Sequence, residues 1–261
     1  MGILNVTPDS FSDGGRFDRP DAALRQAERL IADGVDILDI GGESTRPGAR
    51  SVTEAEEIGR AVPVIEALAA RFDVPISVDT TKPGVMRAAV AAGAAMLNDV
   101  NALRAPGALQ AAADLQVPVC LMHMQGEPRT MQQDPQYHDV VTEVRDFLLA
   151  RVEASVAAGI SRDAIVLDPG FGFGKTLEHN LSLLKNLTTL VDTNYPVLVG
   201  ISRKSMIGAI TGRDVDGRLA GSLAAAILAL ESGAVILRVH DVAETRDVLK
   251  VWQAVRGTAS G

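Results

Sequence analysis

Along this chain, apolar runs of strand length alternate with longer stretches in which apolar residues recur every three or four positions. The short runs fall at residues 2–6, 35–40, 75–79, 95–99, 117–122, 165–168, 197–200 and 235–239. The helical patterns fall at 22–32, 54–71, 84–92, 108–115, 140–158, 177–191, 217–232 and 242–255. Gly34, Gly93, Gly159 and Gly233 each stand just past a helical pattern, where a left-handed cap is expected. Eight such pairs in 261 residues match an α/β fold of the (β/α)8, or TIM barrel, class. An open, doubly wound sheet competes with it but rarely needs eight units. No linker or shift of composition divides the chain, so residues 1–261 are expected to form a single domain.

Barrels of this class carry their chemistry on the loops that follow the strands, and the polar residues of interest gather there. The first run ends at Asn5 and enters a loop rich in Asp and Gly, and the second leads into Gly41-Gly42-Glu43-Ser44-Thr45-Arg46-Pro47-Gly48. The others end at Asp79, at Asn98 and Asp99, at Met122 and His123, at Asp168, at Gly200 with Ser202, Arg203 and Lys204 behind it, and at Arg238 with His240. The two-residue period of a strand puts Arg238 and His240 on one face and Leu237 and Val239 on the other.

The segment 166–176 breaks from an apolar run through Asp168 and Pro169 into three alternating glycines. It is not a Walker loop, because three residues rather than four separate Gly170 from Gly174-Lys175-Thr176, and strict alternation excludes the dinucleotide fingerprint. Two readings stay open for it: a loop that brings backbone close to a ligand beside Phe171 or Phe173, or merely a tight turn.

Net charge is −8 with dispersed basic residues, which gives no sign of a nucleic-acid surface. No apolar stretch approaches a membrane span and no signal peptide opens the chain, while the lone Cys120 excludes an internal disulfide and a cysteine metal cluster; a cytoplasmic location is expected. Asp79, Asn98, Asp168 and Lys204 at one barrel mouth suit a flat heterocycle with ring donors and acceptors. Asn5, Arg46, Arg238 and His240 beside them suit a phosphate-like anion. No His and carboxylate set has zinc spacing, so any metal is expected to be Mg2+, held mainly through substrate oxygens. Taken singly, each of these residues also has a duller role, as a helix cap, a surface cation or, for His123, a satisfied core side chain.

The opening stretch Met1-Gly-Ile-Leu-Asn-Val-Thr-Pro-Asp-Ser-Phe-Ser-Asp-Gly-Gly15, together with 41–48, 168–175, Ser202-Arg203-Lys204 and Arg238-Val239-His240-Asp241, resembles the motifs of the dihydropteroate synthase family, in order over essentially the whole chain. The resemblance implies an enzyme of folate biosynthesis that joins 6-hydroxymethyl-7,8-dihydropterin diphosphate to 4-aminobenzoate, releasing diphosphate and forming 7,8-dihydropteroate. It implies that Asp79, Asn98, Asp168 and Lys204 hold the pterin, that Met122 and Phe173 line its pocket with Gly200 nearby, and that Asn5 ligates magnesium. Arg238 and His240 would bind the diphosphate. Thr45, Arg46, Pro47 and Ser202 would surround the aminobenzoate, where sulfonamide inhibitors bind in this family. Asp79, Lys204, Arg238 and His240 are thereby the expected catalytic groups, in a reaction that loses diphosphate to a pterin cation before the amine attacks, with loops 7–17 and 44–52 closing to exclude water. Family members carry a further stretch ahead of the first motif, whereas this chain starts on it, so the barrel's lower end is expected to lack a plug. Two rivals share parts of this pattern: a pterin-dependent methyltransferase, and a catalytically silent pterin-binding partner subunit. The stretch 218–230 is crowded with Ala and Leu on nearly every face, and the resemblance implies a homodimer; burial of that helix wholly within its own monomer is the alternative.

Overall fold

The computed structural model describes residues 1–7, 19–44, 51–127 and 130–257. The strands are β1 (Gly2–Asn5), β2 (Leu38–Gly41), β3 (Ile76–Asp79), β4 (Met96–Asp99), β5 (Val119–Met122), β6 (Ile165–Asp168), β7 (Leu198–Val199) and β8 (Ile236–Leu237), each within an expected run except β2, which extends one residue past 35–40. They pair in parallel in the order β1 to β6, with β7 and β8 as a second parallel pair. A Leu167–Val197 bridge joins β6 to β7, and a Gly2–Val239 bridge joins the end of β8 to β1. Backbone hydrogen bonds complete the second seam: Ile3 N donates to the Val239 carbonyl at 3.0 Å and Val239 N to that of Met1 at 2.9 Å. The sheet therefore closes on itself.

The helices are α1 (Arg19–Ala32), α2 (Glu54–Ala69), α3 (Pro83–Ala91), α4 (Ala108–Leu115), α5 (Val140–Ala157), α6 (Leu177–Lys185), α7 (Thr188–Val191), α8 (Ser205–Thr211), α9 (Leu219–Glu231) and α10 (Val242–Gly257). Two departures from the expected pattern have local causes. The stretch 177–191 is not one helix, because the Asn186 side chain donates to the Ser182 carbonyl at 2.8 Å and ends α6 there. Helix α8 was not anticipated: it is only seven residues long and stops at Gly212, whose φ is +68°. The four expected glycine caps do take positive φ, from +85° at Gly34 to +114° at Gly93.

Strand alternation sorts the residues into two cores. Leu4, Leu38, Ile40, Val78, Leu97, Leu121, Leu167, Val199, Leu237 and Val239 point outward into the main core between sheet and helices. Met1, Met96, Cys120, Val166 and Leu198 form a small apolar cluster with Ile37 and Ile236 packed on it. These seven residues occupy the inward positions low in the barrel. Two residues beyond Ile37, Met96, Val166 and Ile236 the inward positions turn polar, at Asp39, Asn98, Asp168 and Arg238, and β3 adds Asp79 above the buried Ser77. Register lines up part of this polar layer, with Asn5 opposite Gly41, Gly41 opposite Asp79 and Asp79 opposite Asn98.

The carboxamide and the carboxylate that end β4 have separate fates. Asn98 faces inward, whereas Asp99 faces the helices and accepts from Asn101 N at 2.7 Å and Leu103 N at 2.9 Å. Those bonds hold a turn in which Ala102 and Leu103 take left-handed φ of 50° and 57°. Asp99→Ala is expected to lose about 1–3 kcal/mol of stability in urea unfolding, since the buried Leu103 N–H and the half-buried Asn101 N–H lose their acceptor. An unchanged midpoint would assign that turn to packing alone.

Candidate active site

Arg238 is the centre of the polar layer. Its Nε donates to Asp39 Oδ2 at 2.6 Å and its Nη2 to Asp79 Oδ2 at 2.8 Å, so one guanidinium joins β8 to β2 and β3. Asn98 Nδ2 donates to the same Asp39 oxygen at 3.1 Å. Asp39 is fully buried, and its Oδ1 has no hydrogen-bond partner among the described residues. This carboxylate was missed in the sequence, where it reads as part of an apolar run. The available signal was its two-residue spacing from Ile37 and Gly41, which puts it inside the barrel.

The second wall is the loop after β6. Asp168 is buried and its Oδ1 accepts from Gly170 N at 2.7 Å. Gly170, Gly172 and Gly174 all take left-handed φ, of 68°, 80° and 61°. A Cβ on Gly170 would lie 1.9 Å from the His123 carbonyl oxygen, and one on Gly174 would lie 2.4 Å from that of Gln125. Only glycine lets this loop lie against the end of β5. Both sequence readings of this loop thus hold in part: it is a tight turn, and it brings backbone to the pocket. Lys204, at the start of α8, donates to the Phe171 carbonyl and lies over the Phe173 ring at 4.7 Å. Phe173 packs with Val100, Met122, Met124 and Met131 in a small apolar cluster, so Met122 and Phe173 do share one surface.

A third group stands beside Arg238. Ser202 Oγ lies 3.1 Å from His240 Nδ1 and accepts from His240 N at 3.2 Å. Behind it, Arg203 Nε donates to Asp241 Oδ2 at 2.9 Å, tying the loop after β7 to the loop after β8. Gly200 faces both cations: a Cβ there would lie 3.8 Å from Arg238 Cβ and 4.0 Å from Lys204 Nζ. Asn5 ends β1, the strand that pairs with both β8 and β2. Its Oδ1 would lie 3.7 Å from a Cβ on Gly41, and Asp79 Oδ2 would lie 3.8 Å from it, so both oxygens stand against the Gly41 backbone. Asn5, Asp79, Asn98, Met122, Asp168, Phe173, Gly200, Ser202, Lys204, Arg238 and His240 therefore share the end of the barrel at which the strands terminate. Thr45, Arg46 and Pro47, and most of loops 7–17 and 44–52, lie outside the described residues. Among the described residues no group of three or more His, Cys, Asp or Glu could hold a metal ion.

Burial dominates the titration of the site. It raises Asp79 to about 7, with Arg238 opposing and Asp39 adding repulsion. It raises Asp168 as well, against the pull of Lys204. It lowers Lys204 to about 8, with Asp168 opposing and Arg238 reinforcing. Burial also pulls on Arg238, but Asp39 and Asp79 outweigh it and hold the guanidinium above its ordinary value. The pocket thus offers carboxylate and carboxamide acceptors, a displaceable lysine proton and one fixed cation, which suits a flat polar ring attached to an anion.

Comparison with known proteins agrees with that geometry. A family model described as pterin binding enzyme matches residues 1–240. Dihydropteroate synthase of Haemophilus influenzae is 55% identical over 254 residues, spanning 97% of this chain and 92% of that protein. The Escherichia coli enzyme of the same name is 52% identical, over 97% of this chain and 90% of its own length. Among solved structures, Xanthomonas albilineans dihydropteroate synthase with 4-aminobenzoic acid aligns at a TM-score of 0.94 and 56% identity, covering 99% of this chain and 93% of that one. The same enzyme in complex with 7,8-dihydropteroate aligns at 0.91 and 53%, with the same coverage. A Yersinia pestis dihydropteroate synthase with a sulfonamide drug aligns at 0.94 and 52%, covering 99% and 94%.

Because burial raises Asp79 to about 7 from the ordinary carboxylate value of 3.8, the folded state binds more protons between those values. Its contribution to stability is therefore full below about pH 4 and is lost as pH rises through 7. Asp79→Asn is expected to flatten the fall of the unfolding free energy between pH 4 and 7; an identical slope in wild type and variant would remove Asp79 from the account of the site's charge.

Proposed function

This chain belongs to the pterin-binding enzyme family and, within it, to the dihydropteroate synthases, and we propose that its barrel mouth joins 6-hydroxymethyl-7,8-dihydropterin diphosphate to 4-aminobenzoate, giving 7,8-dihydropteroate and diphosphate in folate biosynthesis. The observation that carries the residue-level reading is the meeting of Asp79, Asn98, Asp168, Lys204 and Arg238 in one inward-facing layer. Asp168 and Asn98 would take the amino and ring N–H groups of the pterin, and Lys204 would donate to a ring oxygen or nitrogen while Phe173 and Met122 cover its face. In this reading the bond between the pterin methylene and the diphosphate oxygen breaks first and its electron pair leaves with diphosphate. Arg238 and His240 receive that negative charge, and Asp79 offsets the positive charge left on the ring. The neutral amine of 4-aminobenzoate then attacks the methylene and gives up its proton. Thr45, Arg46, Pro47 and Ser202 would hold the aminobenzoate, the place a sulfonamide inhibitor would take.

Asn5 Oδ1, a hard oxygen donor at the strand end beside Gly41, fits one ligand of a magnesium ion; a lone carboxamide oxygen cannot hold the ion unaided, so the rest of the coordination would come from diphosphate and water. When bound, Mg2+ would supply charge neutralisation to the departing anion. A cytoplasmic location is part of the proposal, supported by a single thiol that is buried and free; no helix among the described residues is long and apolar enough to cross a membrane. So is a homodimer. Helix α9 buries Ala225, Ala226 and Ala229, yet Ile227 and Leu228 on its other side are 40% and 56% exposed, with Val251 and Val255 of α10 exposed as well. That excludes complete burial of α9 within its own monomer and leaves an apolar strip suited to a second copy.

Incubation with both substrates and Mg2+ should give dihydropteroate and diphosphate in equal amounts. Release of neither product would refute the assignment, and full activity in chelator would refute the magnesium site. Arg238→Ala is expected to lower kcat on the order of 100-fold with a smaller change in KM for 4-aminobenzoate. The reverse pattern would move Arg238 to the aminobenzoate subsite.

A further inference from the structure

Lys175 is 3% exposed, yet none of its hydrogen-bond partners is a carboxylate. Its Nζ donates to the carbonyls of Gly170 at 2.9 Å and Phe173 at 3.0 Å, approaches that of His123 at 3.4 Å and lies 2.9 Å from His123 Nδ1. His123 in turn packs edge-on against Phe147 of α5, at 4.9 Å between centroids. An amine buried with no carboxylate in hydrogen-bond reach, Asp168 attracting it only through space, is costly, and methionine or leucine would fill the same space without that penalty. What the amine supplies is a set of donors inside a loop that has few other means of holding its shape. Its three left-handed glycines carry no side chains to pack, and such residues lose the most freedom on folding.

The rest of the loop is held from its rim. Asn180 Oδ1 accepts from Gly172 N at 2.7 Å, and Tyr137 donates to the Gly174 carbonyl at 2.8 Å. Inside the loop, Phe173 N donates to the Gly170 carbonyl at 3.1 Å, and Lys175 adds a second donor there and ties it to the Phe173 carbonyl; these two carbonyls flank the groups that meet Lys204, the Phe171 carbonyl and the Phe173 ring. Asp168 leads into the same loop through its bond to Gly170 N.

We propose that Lys175, backed by His123, is a positioning residue for the pterin subsite: by clamping the Gly170 and Phe173 carbonyls it sets Asp168, the Phe173 ring and Lys204 in register for the ring. The proposal rests on the pterin reading given above. It touches neither the anion side of the site at Arg238 and His240 nor Ser202.

The test uses the whole chain and titrates the pterin diphosphate substrate calorimetrically into wild type, Lys175→Met and His123→Phe, with steady-state KM values for both substrates. Wild type must bind; failure at that step refutes the pterin reading itself and is distinct from failure of this proposal. Lys175→Met is expected to weaken pterin binding about tenfold or more, as loss of a buried donor does, while KM for 4-aminobenzoate stays within about twofold, a margin equal to a few tenths of a kcal/mol. His123→Phe, which keeps the carbonyl clamp, should shift pterin affinity in the same direction by less. Propylamine added to Lys175→Ala should restore pterin affinity in part. Wild-type pterin affinity in folded Lys175→Met, or equal losses for both substrates, would overturn the proposal. Should Lys175→Met fail to fold, unchanged pterin affinity in His123→Phe together with no amine rescue of Lys175→Ala would overturn it equally.

Discussion

A half-buried guanidinium held by two buried carboxylates from neighbouring strands is the constraint on which the rest of this site depends. Arg238 reaches Asp39 and Asp79 only because β8 closes against β1, which carries β2 and β3 beside it. Breaking such a buried pair by removing one partner costs about 3–5 kcal/mol, so the arrangement is expensive to disturb even though a purely apolar layer would be cheaper to build. The apolar cluster beneath it shows that the barrel has that cheaper solution available two residues below Asp39, Asn98, Asp168 and Arg238, at Ile37, Met96, Val166 and Ile236. The polar layer is thus a functional departure from good packing, confined to the end where the strands stop.

The two walls of the pocket are held in different ways. On the Arg238 side, charge pairs and strand register fix each group, and Asp39 spends one oxygen on Arg238 and Asn98 together. On the Asp168 side the backbone itself forms the wall, and its shape comes from left-handed glycines seated on the carbonyls of His123 and Gln125. A rigid cation and a rigid backbone wall face each other, which suits an account in which the ring is held still while charge moves to the leaving anion.

Much of this was legible in the sequence because a strand's two-residue period and a barrel's chemistry at one rim are strong constraints. All eight strands lie where apolar runs place them, and the same alternation separates Arg238 from Leu237 and Val239. It could equally have separated Asn98 from Asp99, but that required knowing which face of β4 looks inward. Asp39 escaped notice because an isolated acid inside an apolar run resembles an edge or cap residue, and its partner stands 199 positions away. Lys175 escaped because it sits in a motif whose glycines draw attention, and nothing in spacing shows that its amine turns back into its own loop. The break between α6 and α7 turned on one side-chain hydrogen bond from Asn186, a competition that periodicity does not register. The family's long opening motif named the chemistry, whereas Thr45, Arg46 and Pro47 of the second motif lie outside the residues the structure describes.

The central claim is that Asp39 and Asp79 hold Arg238 where the departing anion forms. Turnover of Asp39→Asn, a change that keeps the shape and removes the charge, tests this most directly. The account predicts a fall in kcat on the order of 100-fold, as for a misplaced catalytic group, with the pterin substrate still bound. Wild-type kcat in a folded Asp39→Asn protein would contradict it.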